Sequence, residues 1–210
     1  MATATLIPSS YYVSASALTV ANEANMYDDT TSTDYATVTN TNASTSYYYF
    51  YLRGFNIDDI PADAEVSSFT VKLRGRASGA YNSAMYLAHG TTTISGATAT
   101  QIPNSSSAAT RTFSNGSLTW AQIVGYGNDF GIRINCRRNS RNTTSYYYIY
   151  GAEIDVEYEV PIPASDKIYI KQNGVWVEAN KAYNKVNGIC VQQTDVANIF
   201  EAGTNYKLSN

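Results

Sequence analysis

Ala152-Glu153-Ile154-Asp155-Val156-Glu157-Tyr158-Glu159-Val160 is the most regular stretch of this chain, and its reading decides the fold. Apolar residues alternate with carboxylates at a period of two, which an extended strand converts into one greasy and one acidic face. Phe69, Val71 and Leu73 alternate in the same way with Thr70, Lys72 and Arg74. So do Phe130, Ile132, Ile134 and Cys136 with Gly131, Arg133, Asn135 and Arg137. Met85 and Leu87 mark another strand before His89. Two aromatic runs, Tyr47 to Leu52 (YYYFYL) and Tyr146 to Tyr150 (YYYIY), fill both faces of their strands. Ser78 to Asn82, Ser95 to Ala99, Asn104 to Thr110 and Asn139 to Ser145 are rich in Gly, Ser, Thr and Asn and read as connections. Only Leu118 to Val124 and Asp195 to Phe200 suggest a helical turn or two. The pattern predicts an all-β chain, a jelly-roll-like antiparallel β-sandwich rather than alternating β and α units.

Beyond this frame the chain changes character. Pro161 and Pro163 flank one residue and cannot continue a central strand, so 161–164 reads as a stiff linker. Past it, Tyr169, Lys171, Asn173-Gly174, Val175 and Val177 recur fourteen positions later as Tyr183, Lys185, Asn187-Gly188, Ile189 and Val191. Asn-Gly between alternating apolar residues is a strong hairpin signal, because a type I′ turn needs positive φ at both central positions. Two hairpins follow, roughly Lys167 to Val177 and Ala182 to Gln192. The predicted organisation is a sandwich over 1–160 and a small β-hairpin unit over 165–210.

Composition narrows the function. Hydrophobic residues make up 44% of the 210, enough for a substantial core. Charged residues are only 15%, against about 25% in ordinary soluble chains. Ser, Thr, Asn and 19 tyrosines take their place. A net charge of -3 argues against a nucleic-acid partner, which would call for a basic surface. No run approaches the roughly 18 apolar residues of a membrane span, so no membrane partner is expected. The N-terminus has no basic segment before Arg53 and no apolar core of a secretory signal. Cys136 and Cys190 each sit in a strand-like alternation and read as buried free thiols.

No motif makes a convincing catalytic, cofactor or metal site, and none of the three is expected. Glu153, Asp155, Glu157 and Glu159 form the sole carboxylate cluster, but a solvated strand face explains it better than glycosidase chemistry, whose two carboxylates rarely share one face of one strand. Asp28-Asp29 with Asp34, and Asp58-Asp59, lack the spacing of a calcium loop. His89, the single histidine, has no nucleophile elbow to serve, and Gly125-Tyr126-Gly127 lacks phosphate-loop spacing. The tyrosines are more informative. Tyr47, Tyr49, Tyr51, Tyr146, Tyr148 and Tyr150 read first as core and cross-strand packing, but they cannot all face one core, so outward members serve a subunit contact or a glycan, and Trp176 joins them as a candidate contact.

The residues also carry a resemblance. Tyr47 to Phe55 followed by Ile60-Pro61-Ala62-Asp63-Ala64-Glu65-Val66 resembles the opening sheet of small phage structural domains. Phe130 to Ile134 and Tyr150 to Tyr158 resemble their closing strands. The tail Ile168 to Gln192 is similar to C-terminal segments of minor structural proteins in phages of Gram-positive hosts, with Cys190 where those usually carry Trp. The resemblance implies a non-enzymatic virion protein made in the bacterial cytoplasm. No heptad, collagen-like or long β-repeat shaft is present, which favours a head-surface decoration protein over a tail fibre. A tail-tip or baseplate module binding host surface glycan is the alternative. Implied partners are other capsid or tail proteins and further copies of the chain, a trimer foremost, since outward tyrosines need cover.

Overall fold

The computed structural model describes residues 1–42, 46–161, 169–172, 175–178, 181–186, 189–193 and 206–209. Twelve strands precede Pro161: β1 (Ala2–Leu6), β2 (Ser10–Val13), β3 (Leu18–Ala21), β4 (Ala36–Asn40), β5 (Tyr48–Arg53), β6 (Glu65–Ser78), β7 (Ala80–Asn82), β8 (Met85–His89), β9 (Thr92–Ala99), β10 (Ala109–Thr112), β11 (Phe130–Arg138) and β12 (Ser145–Glu159). They form two sheets of an all-β sandwich. One runs β10-β6-β12-β4-β3 with β1 also on β12, the other β2-β5-β11-β8-β9 with β7 also on β11.

The antiparallel pairs nest inside one another. His89 pairs with Thr92 across the turn Gly90-Thr91, closing β8 on β9. Gly90 has φ +59 and Thr91 does not enter the left-handed region, the combination of a type II′ turn. Outside this hairpin β6 pairs β10, then β5 pairs β11, then β4 pairs β12. The chain is thus one long hairpin whose successive layers fall alternately in the two sheets.

Alternation explains the core. Phe50 and Leu52 of β5, Val71 and Leu73 of β6, Ile132 and Ile134 of β11, and Ile154 of β12 have no exposed surface. β12 carries two phases. Tyr147 and Ile149 point inward at odd positions, Ile154 and Val156 at even ones, and the change falls at the buried pair Gly151-Ala152. A Cβ on Gly151 would overlap the carbonyl oxygens of Asp28 and Asp29, and Ala152 N–H donates to Asp28 O at 2.9 Å. The loop crossing β12 there selects glycine and marks where the phase slips.

Sequence expectation and structure differ in several places. Ser95 to Ala99, read as a connection, belongs to β9, and Ala109-Thr110 opens β10. Ala80–Asn82 forms β7, and β1 to β4 had no counterpart in the reading. The first helical stretch is present as α1 (Trp120–Tyr126), capped by Thr119 and Gln122 in a reciprocal box. Asp195 to Phe200 lies outside the described residues, as do 162–164 of the expected linker.

Contacts divide the chain into two units, Thr3–Ile60 with Val66–Glu157, and Met1–Ala2 with Pro61–Glu65 and Tyr158–Asn210. The latter contains β13 (Tyr169–Gln172), β14 (Val175–Glu178), β15 (Lys181–Val186), β16 (Ile189–Gln193) and β17 (Tyr206–Ser209). Gln172 pairs with Val175 and Val186 with Ile189, the register of two antiparallel hairpins, while Asn173-Gly174 and Asn187-Gly188 lie outside the described residues. β17, which pairs with β15, carried no signal in the repeat.

Candidate functional site

The outward tyrosines are organised by arginines. Register places Tyr12 of β2 beside Tyr51 of β5, Tyr51 beside Arg133 of β11, and Arg133 beside Tyr86 of β8, one row across the outer face of the second sheet. The Arg133 guanidinium lies 4.6 Å from the Tyr49 ring centre and 4.9 Å from that of Tyr86. Arg53 sits between Tyr12 at 5.2 Å and Tyr51 at 4.9 Å, and Arg137 between Tyr47 at 4.9 Å and Tyr81 at 4.3 Å. Three arginines thus each fill a gap between two rings. Such contacts contribute about 0.5–1 kcal/mol when exposed and about 2 when desolvated. The predicted greasy outer face is therefore largely covered from within the chain: Tyr51 is only 2% exposed. Tyr12 at 44%, Tyr47 at 39% and Tyr81 at 58% remain open to solvent.

Gly131 lets Arg53 lie across β11. A Cβ there would overlap the Leu52 carbonyl oxygen and approach Arg53 Cγ to 2.8 Å. Arg53 also donates to Gly90 O and faces the Asp129 carboxylate at 3.7 Å.

The outer face of the first sheet repeats the device. Arg76 stacks on Tyr148 at 3.7 Å and donates to the Tyr150 hydroxyl at 3.2 Å, while Arg74 lies 5.3 Å from the Tyr150 ring. Tyr35 meets Tyr148 edge-on at 5.2 Å, and Tyr146 stacks on Tyr148. Further along β12 the strand face expected to be solvated and acidic is not uniformly so. Glu153 is 6% exposed and accepts from Thr30 N–H at 2.9 Å, Thr30 Oγ1 at 3.0 Å and Lys72 Nζ at 3.0 Å. Lys72 also donates to Asp155, which accepts from Thr5 Oγ1 as well. The hydrogen bonds to Asp155 and then Glu153 raise the Lys72 ammonium above its usual range. Glu153 is held by Lys72 and by the 28–32 loop, Asp155 by Lys72 and Thr5, while Arg74 secures the same loop through the carbonyls of Thr31 and Ser32.

The six predicted tyrosines therefore do not form one site. Tyr47, Tyr49 and Tyr51 belong to the second sheet, Tyr146, Tyr148 and Tyr150 to the first. Trp176 stands opposite Lys171 in β14, and its side chain lies outside the described residues. Asp29 binds its carboxylate to Thr31 N–H at 2.7 Å and Thr31 Oγ1, and those bonds lower its pKa. His89 stacks on Tyr126 at 4.2 Å. Cys136 is a buried free thiol whose burial pushes its pKa up. Asp58 and Asp59 border a cleft of about 230 Å3 with Asn56, Val124 and Gly127, smaller than the roughly 300 Å3 at which small-molecule sites begin. Among the described residues no group of three or more His, Cys, Asp and Glu is placed to hold a metal ion, and no helix is long and apolar enough to cross a membrane.

Sequence reading missed the arginines. A signal existed: up to Glu157 every basic residue but Lys72 is arginine, and beyond it every one is lysine. A planar guanidinium stacks between rings where an ammonium cannot. No known protein family, curated protein or solved structure matches the chain.

Proposed function

We propose that this chain is a non-enzymatic structural protein displayed on a tailed-phage particle, foremost a head-surface decoration protein acting as a homo-oligomer. The observation that carries the reading is the nested strand order. Taking β4, β5, β6, β8, β9, β10, β11 and β12 as eight successive strands, first pairs eighth, second seventh, third sixth and fourth fifth. That nesting supports a jelly-roll reading, an architecture that recurs in viral shells and in lectins. The sequence resemblance supplies the phage context. Mass spectrometry of separated heads and tails tests it: the protein belongs with heads on this reading, with tails on a tail-tip reading, and in neither if the virion assignment is wrong.

The tail-tip reading, in which the protein binds host glycan, draws support from the open rings of Tyr12, Tyr47 and Tyr81 beside clamped arginines. On the decoration reading the exposed rings of Tyr47 and Tyr146 are the contact surface for a trimer. Sedimentation at tens of micromolar should give a trimer, shifted towards monomer by Tyr47→Ser with Tyr146→Ser. A wild type that sediments as monomer removes the oligomer from the reading.

A further inference from the structure

We infer that copies of this chain dock head to tail, Arg141 of one copy entering the Asp58–Asp59 cleft of the next. The inference rests on the homo-oligomer part of the reading above and names the two surfaces that meet.

A closed trimer cannot be built from one self-complementary patch. A ring of three needs two different patches on each copy, fitted to one another. The two ends of β11 differ in that way. Gly127 and Asn128, which border the cleft, lie just before its first residue, Phe130, and Arg141 lies just past its last, Arg138. Nine residues at roughly 3.3 Å each put about 30 Å between the ends.

The Arg141 end is basic. Residues 41–47, 78–84 and 139–144 meet there through bonds from Arg138 to Thr41 and Asn42 and from Asn139 N–H to Gly79 O, and they contain no Asp or Glu. Arg138 is buried, and among the described residues its hydrogen bonds all go to carbonyl oxygens, so no carboxylate answers its charge. Arg141 is exposed, and its guanidinium has no hydrogen-bond or ion-pair partner among the described residues.

The cleft end is acidic. Asp58 and Asp59 are exposed and likewise without a partner among the described residues. Phe55, Ile57 and Val124 line the cleft beside them. An arginine suits both parts, its methylene stem lying on apolar surface while the guanidinium takes a carboxylate through two parallel N–H bonds. A cleft of about 230 Å3, too small for a small-molecule ligand, admits a single side chain. Exposed Tyr47 and Tyr146 stand at the starts of β5 and β12, on the Arg141 end, and flank the same contact.

Sedimentation of the full chain at tens of micromolar and low ionic strength reads the contact. Wild type should associate, and about 0.5 M salt should weaken association at least tenfold by shortening the screening length to roughly 4 Å. Arg141→Glu, and separately Asp58→Asn with Asp59→Asn, should each sediment as monomer, with strand content unchanged by circular dichroism. Mixed one to one, these variants should form a heterodimer and stop there, because one keeps the cleft and the other keeps the arginine. A mixture that stays monomeric, variants that associate like wild type, or a monomeric wild type would overturn the inference. If the charge variants stay associated while Tyr47→Ser with Tyr146→Ser dissociates, the trimer reading stands and this contact falls. Heterodimer rescue in a protein found in neither heads nor tails would keep the contact and discard the virion reading.

Discussion

Among the described groups that hold their protons more tightly in the folded chain, Cys136, Tyr147 and Lys72 bear on its behaviour in base. Burial raises the Cys136 thiol from its ordinary 9.0 and the Tyr147 phenol from 10.0, while Asp155 and Glu153 raise Lys72 from 10.5. Each contributes stability in full below its ordinary value, and that contribution is lost as pH climbs past it. The melting temperature should hold from neutral pH to about 9 and then fall, and Cys136→Ala should delay the fall towards about 10. A melting temperature unchanged at pH 10.5 would contradict this account. At Gly131 the constraint is steric. Gly131→Ala drives a methyl group into the Leu52 carbonyl and under Arg53, at a cost of about 3 kcal/mol, the upper end for overpacking, readable as a lower urea midpoint with unchanged slope.

Elements were legible where one face is buried and the other wet. The alternations in β6, β11 and the second half of β12 have that geometry, and each strand is where period two puts it. β1 to β3 are short and poor in buried side chains, and β9 has buried Ala97 among Thr, Ser and Gly, so little apolar signal survives. The clamps were illegible for another reason. Arg133 meets Tyr49 and Tyr86 through the register of three strands, which no local pattern encodes. α1 sits at the opposite extreme, written in its own first turn: Thr119 Oγ1 accepts from Gln122 N–H and Gln122 Oε1 from Thr119 N–H. Thr119→Ala should cost about 1 kcal/mol in chemical denaturation.

At the scale of the molecule, every pair of the eight nested strands closes before residue 158, so a chain ending at Val160 should melt as a single cooperative transition close to that of the full sandwich. Loss of that transition on truncation would mean that the sandwich needs the later strands. The nesting also sets a schedule. Closing His89 on Thr92 fixes a loop of two residues, whereas joining Asn40 to Ser145 brings together distant parts of the chain. The entropy of loop closure rises with length, so each outer layer forms cheaply only after the inner one has shortened its path. Folding in this order would proceed from the Gly90 turn outward, over milliseconds to seconds as for other non-local β topologies. Opening would run the other way, from β3 and β4 inward. Native-state amide exchange should record that gradient, fastest in β3, slower in β4, and slowest where β8 meets β9.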